Sequence, residues 1–581
     1  MYSEIFYHNF FINFLTTFLF IIFNFYFSYS VSNIFSKTIL FKESNPLLVF
    51  FLVFLFYASV FNYLILFKLE NIIKVIFFII LILQIFFSFK MKKNIKLEFT
   101  KKINKKNFKR NLFLFLGFFG FFLISILPVT DADSIASHLN FATKLFYNSS
   151  FPNDLPKYIE FVSYSNSEVL LLISTFLASD NFGSQLNFFT LIFFLIFFFK
   201  DNKIFFYLIL SCPLIIFFIS TQKLQLFYGL LYLYIFILIL NKKSFNKFQI
   251  LSICFLIAFY ASGKINYILL ALPLFIFFLI KNLKNFKEVF FCSVLAFFIV
   301  LFPILLNKFI YFSNPLAPFA DNIIGQNNFI FNIYSDSLRS SEGWLNDKRL
   351  IVFLKPFFPV NIAEISASLG LFFFLIFDKN LLIKVKYFPL IITILIFITG
   401  QALPRYYFEA FLILIFFTKF KNNFYTKVMY LQIIPVVFFT FSFIYVAYIQ
   451  NVVLINKDKY LSKFSYTYYN SKKINELNID KNILNLAHDR ESIYLNNNHF
   501  GMRFLAGVKA YGNEANYQKY FIKYINNYNI DYIIGNEADV PNCIKMKKVN
   551  EISFKAVRRN FLLKQNIVNS NLFLIVNKEC K

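Results

Sequence analysis

The sequence predicts a polytopic α-helical membrane protein of roughly 12 to 14 transmembrane helices, followed by a small C-terminal α/β external domain. Three observations predict it. The 581 residues are 58 % hydrophobic and only 15 % charged, with apolar runs long enough to cross a hydrocarbon layer of about 30 Å as helices. The basic residues, which give a formal net charge of +28, gather in short loops between those runs, as the positive-inside rule demands. After about Asn456 the apolar runs shorten, and Asn, Lys, Tyr and acids take over. Topology thus explains the charge, and no nucleic-acid partner is expected; the bilayer is. The 93 Phe against 13 Gly read as a compositional bias of the source, so Phe-rich stripes are lipid-facing bulk.

Residues 1–111 hold three apolar segments, at about 5 to 29, 46 to 67 and 72 to 89, and then a basic loop. The stretch from Ile12 to Phe27 has no basic residues ahead of it and no small-residue cleavage pattern behind, so it reads as a retained helix rather than a removed signal. In the loop, Lys90, Lys92, Lys93, Lys96, Lys101, Lys102, Lys105, Lys106, Lys109 and Arg110 face one acid, Glu98, which makes the loop cytoplasmic. A membrane domain follows over 112–455. Its first helix, about Asn111 to Leu127, exits on the far side, so Asp131 and Asp133 emerge outside, in the periplasm of a Gram-negative cell. Helices are expected near 185 to 199, 204 to 219, 224 to 240, 248 to 262, 265 to 280 and 288 to 311. They place the basic loops 200–203, 241–247 and 281–288 all inside. The external loops are 128–167 and 312–350, the second carrying Trp344 as an interfacial anchor. Helices near 362 to 377, 387 to 403, 405 to 418 and 427 to 450 close the count, with Lys384 and Lys419 inside.

The tail, 456–581, reads as a soluble domain. N-I-L-N-L-A, D-Y-I-I-G and N-L-F-L-I-V have the length and composition of short strands. A-N-Y-Q-K-Y-F-I-K-Y-I-N-N-Y is an amphipathic helix between the first two. Of five cysteines, Cys212, Cys254 and Cys292 lie in apolar runs as small hydrophobes. Cys543 and Cys580, in the tail, can pair if that side is oxidising.

Fixing the crossings assigns a face to each polar residue that interrupts an apolar run. Asp131, Asp133, His138, Glu168, Gln222, Lys223, Lys264, Asn314 and Arg405 all fall outside. Acids on one part of a site and cations on another suit an acceptor deprotonated by a carboxylate and an anionic leaving group held by Lys or Arg. Intramembrane-boundary acids are costly to place except where water or substrate meets them. Each residue also has a plainer role. Asp131 or Asp133 caps the helix whose apolar face is Ile135, Leu139, Ala142 and Phe146. Lys264 and Arg405 snorkel from helix ends, and Glu409 pairs with Arg405. On an α-helix His138, five residues after Asp133, lies too far round to share its face, which argues against a joint metal site.

Four segments in order, D-A-D-S-I-A-S-H-L-N-F-A, A-S-G-K-I-N-Y-I-L-L-A-L-P, S-N-P-L-A-P-F and L-P-R-Y-Y-F-E-A, resemble motifs of multi-spanning GT-C glycosyltransferases. The likeness is to the protein mannosyltransferase and aminoarabinose transferase group, covers about 112 to 450, and extends to a soluble external domain like the tail. It departs at Ser137, where the family has Tyr, and after Arg405-Tyr406, where Phe408, Glu409 and Ala410 stand without the family's Pro. The three N-terminal helices lie outside it. The resemblance implies an inverting enzyme of the bacterial inner membrane that takes a sugar from a polyprenyl-phosphate donor to a hydroxyl of a lipid, glycan or protein acceptor. It implies Asp133, or Asp131, as general base and Lys264 and Arg405 at the donor phosphate. His138, Glu168, Gln222, Lys223 and Asn314 would line the substrate site. Two cations suffice for a monophosphate leaving group without a cofactor, and a divalent metal at Asp131 and Asp133 is the alternative. An O-antigen polymerase or ligase would rest on external arginines rather than a loop-opening acid pair. A lipid or glycan transporter would carry Gly- or Pro-broken helices in repeated halves, which this chain lacks.

Overall fold

The computed structural model describes residues 5–6, 9–35, 45–91, 108–198, 203–242, 244–326, 328–333, 365, 368–370, 375, 383–399, 403–418, 423–465, 467–487, 493–495, 498–511, 513–556 and 566–578. The apolar runs form helices. Five are long and apolar enough to cross a membrane: Phe10–Ile34, Pro46–Leu66, Glu70–Lys90, Leu283–Phe312 and Tyr430–Gln450. Shorter apolar helices include Phe182–Phe198, Gln225–Asn241, Lys247–Ser262 and Tyr267–Lys281; at about 1.5 Å per residue the longest of these four rise roughly 26 Å.

Along Ile73–Met91, Val75, Phe78, Ile82, Phe86 and Phe89 point outward, while Ile73, Phe77, Gln84 and Ser88 are buried. Both sets recur at helical spacing, but the polar members face inward and the exposed face is apolar, the reverse of a helix in water. Gln84 is matched inside the bundle, where its Oε1 accepts the Tyr57 hydroxyl at 2.8 Å. Such helices fit a membrane protein.

Two sequence expectations change in detail. The helix expected over 204 to 219 is two, Lys203–Leu210 and Pro213–Ile219. Pro213 lacks the N–H that would continue the first, and it drives Cys212 to an extended conformation. Within other helical runs, wider i→i+5 turns replace α-turns at Ser134–His138, Phe297–Leu301 and Tyr445–Gln450. Trp344, Lys419, Cys580, the basic loop from Lys92 to Lys106 and most of the helix expected at 362 to 377 lie outside the described residues.

The tail folds around a five-stranded sheet: β1 (Asn482–Asn485), β2 (His499–Gly501), β3 (Ile530–Gly535), β4 (Ile544–Ala556) and β5 (Asn566–Lys578), in the order β2-β1-β3-β5-β4. β1 pairs in parallel with β2 and β3, and β5 antiparallel with β3 and β4. The expected strands are β1, β3 and part of β5, and the expected helix is Glu514–Asn527, capped by Asn513 on Asn516 N. The sequence reading missed β2, which is three residues long, and β4, a Lys-rich edge strand with two register shifts. Lysines on an edge discourage further pairing and mask the apolar alternation that marks a strand. Leu484, Phe500, Phe504, Phe521, Ile530 and Ile533 form one face of its core, joined by Ile159 and Ile333 from the helical part. Cys543 is disulfide-bonded, whereas Cys212, Cys254 and Cys292 are free.

The tail sits on one end of the helical bundle. Tyr494 donates to Val129 O at 3.4 Å, the Lys157 ammonium lies 4.0 Å over the Phe500 ring, and Tyr528 hydrogen-bonds Asp154. Beneath it, a fully buried Asp180 pairs with Lys457 at 3.2 Å, and the Asn13 side-chain amide bonds both the Asp180 carboxylate and its backbone N–H. Three parts of the chain meet there: the first helix, the helical core and the start of the tail.

Candidate functional site

The site is built where the Phe108–Ser125 helix stops before Pro128. Its last carbonyls are taken up by side chains from the next long helix, Ser125 O by Ser184 Oγ at 2.8 Å and Ile126 O by Asn181 Nδ2 at 2.9 Å. The chain then turns at Asp131. Its Oδ2 accepts both the backbone N–H and the hydroxyl of Ser134, at 3.0 and 2.5 Å, so Asp131 caps the new turn. Ser134 Oγ in turn accepts Gln222 N at 2.9 Å, and Gln222 Oε1 accepts Gly183 N at 2.6 Å. A side chain at Gly183 would stand 2.7 Å from Gln222 Oε1, so only glycine allows this approach. Asp131 and Gln222 are therefore scaffold. Both are buried, and their job is to fix the positions of Asp133 and Lys223 beside them.

Asp133 is the more open acid, with a third of its side chain exposed. Its Oδ2 lies 2.5 Å from the buried Lys223 Nζ and 3.9 Å from Arg405 Nη1. Arg405 stands on a short turn, Pro404–Tyr407, with its guanidinium 5.2 Å over the Tyr406 ring. The partner considered for it from sequence, Glu409, instead accepts the Tyr260 hydroxyl at 3.0 Å. Thus residues from three separate stretches of sequence converge on one carboxylate.

A wider i→i+5 turn spans Ser134–His138, immediately after Asp133. His138 Nδ1 lies 2.6 Å from Glu168 Oε1. Ser165 Oγ lies 2.5 Å from the other carboxylate oxygen of Glu168 and 2.6 Å from Gly263 O, its one proton serving either, and Ser167 donates to Gly263 O, beside Lys264. Burial would push the Glu168 carboxyl up; the His138 hydrogen bond and charge, the Ser165 hydroxyl and the Lys264 charge outweigh it and hold the group below its ordinary value. The Lys264 charge also reaches Glu409, so it links the Glu168 pair to the Arg405 side of the cluster.

Asn314 does not join by contact. Its Nδ2 donates to Phe319 O and Asp321 Oδ1 and its Oδ1 accepts Leu316 N, all within its own loop. Sequence reasoning missed Ser165, Ser167, Tyr260 and Lys308. The buried Lys308 ammonium donates to Val162 O at 3.0 Å and Ala317 O at 2.7 Å, tying the two loops together. It stands near the end of a long apolar run, the same signal that singled out Lys264, and was legible on that ground. The serines carry no such signal.

The two acids of D-A-D do not form a joint ligand set. Asp131 is turned to Ser134 while Asp133 is turned to Lys223. Among the described residues no group of three or more His, Cys, Asp or Glu could hold a metal ion. Fold and site together define a helical, membrane-type protein with a charged cluster at one end of its bundle and a small sheet domain over that end. Compared with protein-family models, curated proteins and solved structures, the chain gives no match.

Proposed function

We propose that this protein is a membrane glycosyltransferase of GT-C type, with 12 to 14 spans, acting on the external face of a bacterial inner membrane. It moves a sugar from a polyprenyl-phosphate donor to an acceptor hydroxyl. The observation that carries the reading is the Asp133 carboxylate set between Lys223 and Arg405 at the end of an apolar bundle. A lipid-linked donor needs its chain in hydrocarbon and its phosphate among cations at the boundary, and this cluster offers the second next to the first. Arg suits phosphate because its planar fork binds two oxygens at once. The arriving phosphate takes over the two cations from Asp133. The acceptor oxygen then loses its proton to a base, attacks the anomeric carbon and inverts it, while the bond from that carbon to the phosphate oxygen breaks and its electron pair leaves with the polyprenyl phosphate. Lys223, Arg405 and Lys264 stabilise the charge that grows on the leaving group.

The test is release of polyprenyl phosphate from a panel of polyprenyl-phosphate sugars by the purified protein in liposomes. Asp133→Asn and Arg405→Lys should each lose transfer while the protein still inserts and folds. A wild type that cleaves none of the panel overturns the reading, and near-normal turnover in both variants removes this cluster from the reaction. A polymerase or ligase would release a diphosphate instead, and a transporter would move the intact donor without breaking it.

A further inference from the structure

Asp133 is engaged by both cations, 2.5 Å from Lys223 and 3.9 Å from Arg405. Another base lies five residues further along the same loop. The His138 ring, 13 % exposed at its side chain, meets Glu168 through Nδ1. A carboxylate on one ring nitrogen fixes the tautomer that carries its proton there and leaves the lone pair on the other. Among the described residues no hydrogen bond engages Nε2. Glu168 itself lies 2.5 Å from Ser165 Oγ. An imidazole oriented by a buried, hydrogen-bonded carboxylate is a common general-base assembly. It stands at the end of the wide turn Ser134–His138 that follows Asp133, and such turns in helices gather at functional sites.

We infer that His138, oriented by Glu168, is the group that takes the acceptor's proton, and that Asp133 serves as the counter-ion that keeps Lys223 and Arg405 in place until an anionic donor replaces it. The inference rests on the glycosyl-transfer reading above. In the step, the acceptor O–H bond breaks, its proton goes to His138 Nε2, and the freed oxygen pair forms the new bond to the anomeric carbon as the phosphate leaves. The proton then passes to water, and no oxidant, reductant or co-reactant is required. Glu168 touches no substrate and is a positioning residue.

Three measurements test this on the full chain in liposomes, with a polyprenyl-phosphate sugar that the wild type turns over. His138→Gln should lower kcat by about 10²–10⁴-fold with KM for the donor nearly unchanged. Glu168→Gln should lower kcat less and move the imidazole ¹⁵N signals away from the single-tautomer pattern of the wild type. Azide, a nucleophile with no proton to lose, should restore sugar release in His138→Gln, but not in Arg405→Ala, which lacks the cation. If the wild type turns over and His138→Gln matches it, or azide accelerates wild type and leaves the variant slow, the role of His138 is overturned and the transfer reading stands. If the wild type cleaves no lipid-phosphate sugar in the whole panel, the transfer reading falls and takes this role with it. A melting temperature for His138→Gln within a degree or two of wild type separates lost chemistry from lost folding.

Discussion

At the scale of residues, the two acids of D-A-D look alike in sequence and have opposite work. Asp131 spends its carboxylate on Ser134, so Asp131→Ala should lower stability by about 1 kcal/mol, the ordinary cost of a lost cap, read by thermal unfolding in detergent. Asp133 makes no such cap, and its replacement should be felt chiefly in transfer, with some loss of stability from the buried Lys223 it leaves behind. Gly183 gives a second contrast. A methyl group there must displace Gln222 at 2.7 Å, so Gly183→Ala should cost about 1–3 kcal/mol and shift Lys223, which follows Gln222 in the chain. A melt unchanged from wild type would show that the Gly183 to Gln222 hydrogen bond does not hold the site. His138 was legible as a residue, but its pairing with Glu168, 30 positions away, was not.

At the scale of elements, apolar periodicity anticipated most of the apolar helices but not Asn166–Phe176, and Pro213 explains the break in the one expected over 204 to 219. Tail strands β1, β3 and β5 stood out because their cores are Ile, Leu, Val and Phe; β2 and β4 did not, because length and lysines conceal them. The first helix had no role in the sequence, and the structure gives it one: Asn13 clasps Asp180, which pairs with Lys457. Both charged groups are buried, so removing one leaves the other uncompensated. Lys457→Ala should therefore cost about 3–5 kcal/mol and expose the stretch around Asn456 to protease before the bundle unfolds. Replacing Asp180 and Lys457 together by apolar residues should recover much of that loss, since no orphan charge remains. A double variant as unstable as the single would place the cost in the Asn13 contact instead.

At the scale of the whole molecule, Asp133 meets Lys223 and Arg405 at the end of the bundle over which the tail sits, while Asn314 bonds within its own loop. The proposed external face of that end rests on the basic loops and the positive-inside rule. A cysteine at the exposed Val549 in the tail should react with a membrane-impermeant maleimide in intact cells. One at Lys284, in a basic turn between two apolar helices, should react only after permeabilisation. The opposite pattern would turn the protein over and end the external-face reading. The sequence by itself determined the helical membrane class, the polar tail and the set of odd polar residues, because burial in lipid or water acts on composition and period, which any stretch displays locally. Only the tertiary structure decided which of those residues meet: that Asp133 faces Lys223 and Arg405, that Asp131 faces its own turn, and that His138 meets Glu168. Those pairings span up to 272 positions between Asp133 and Arg405, and they depend on helix ends and one glycine, neither of which a local pattern records.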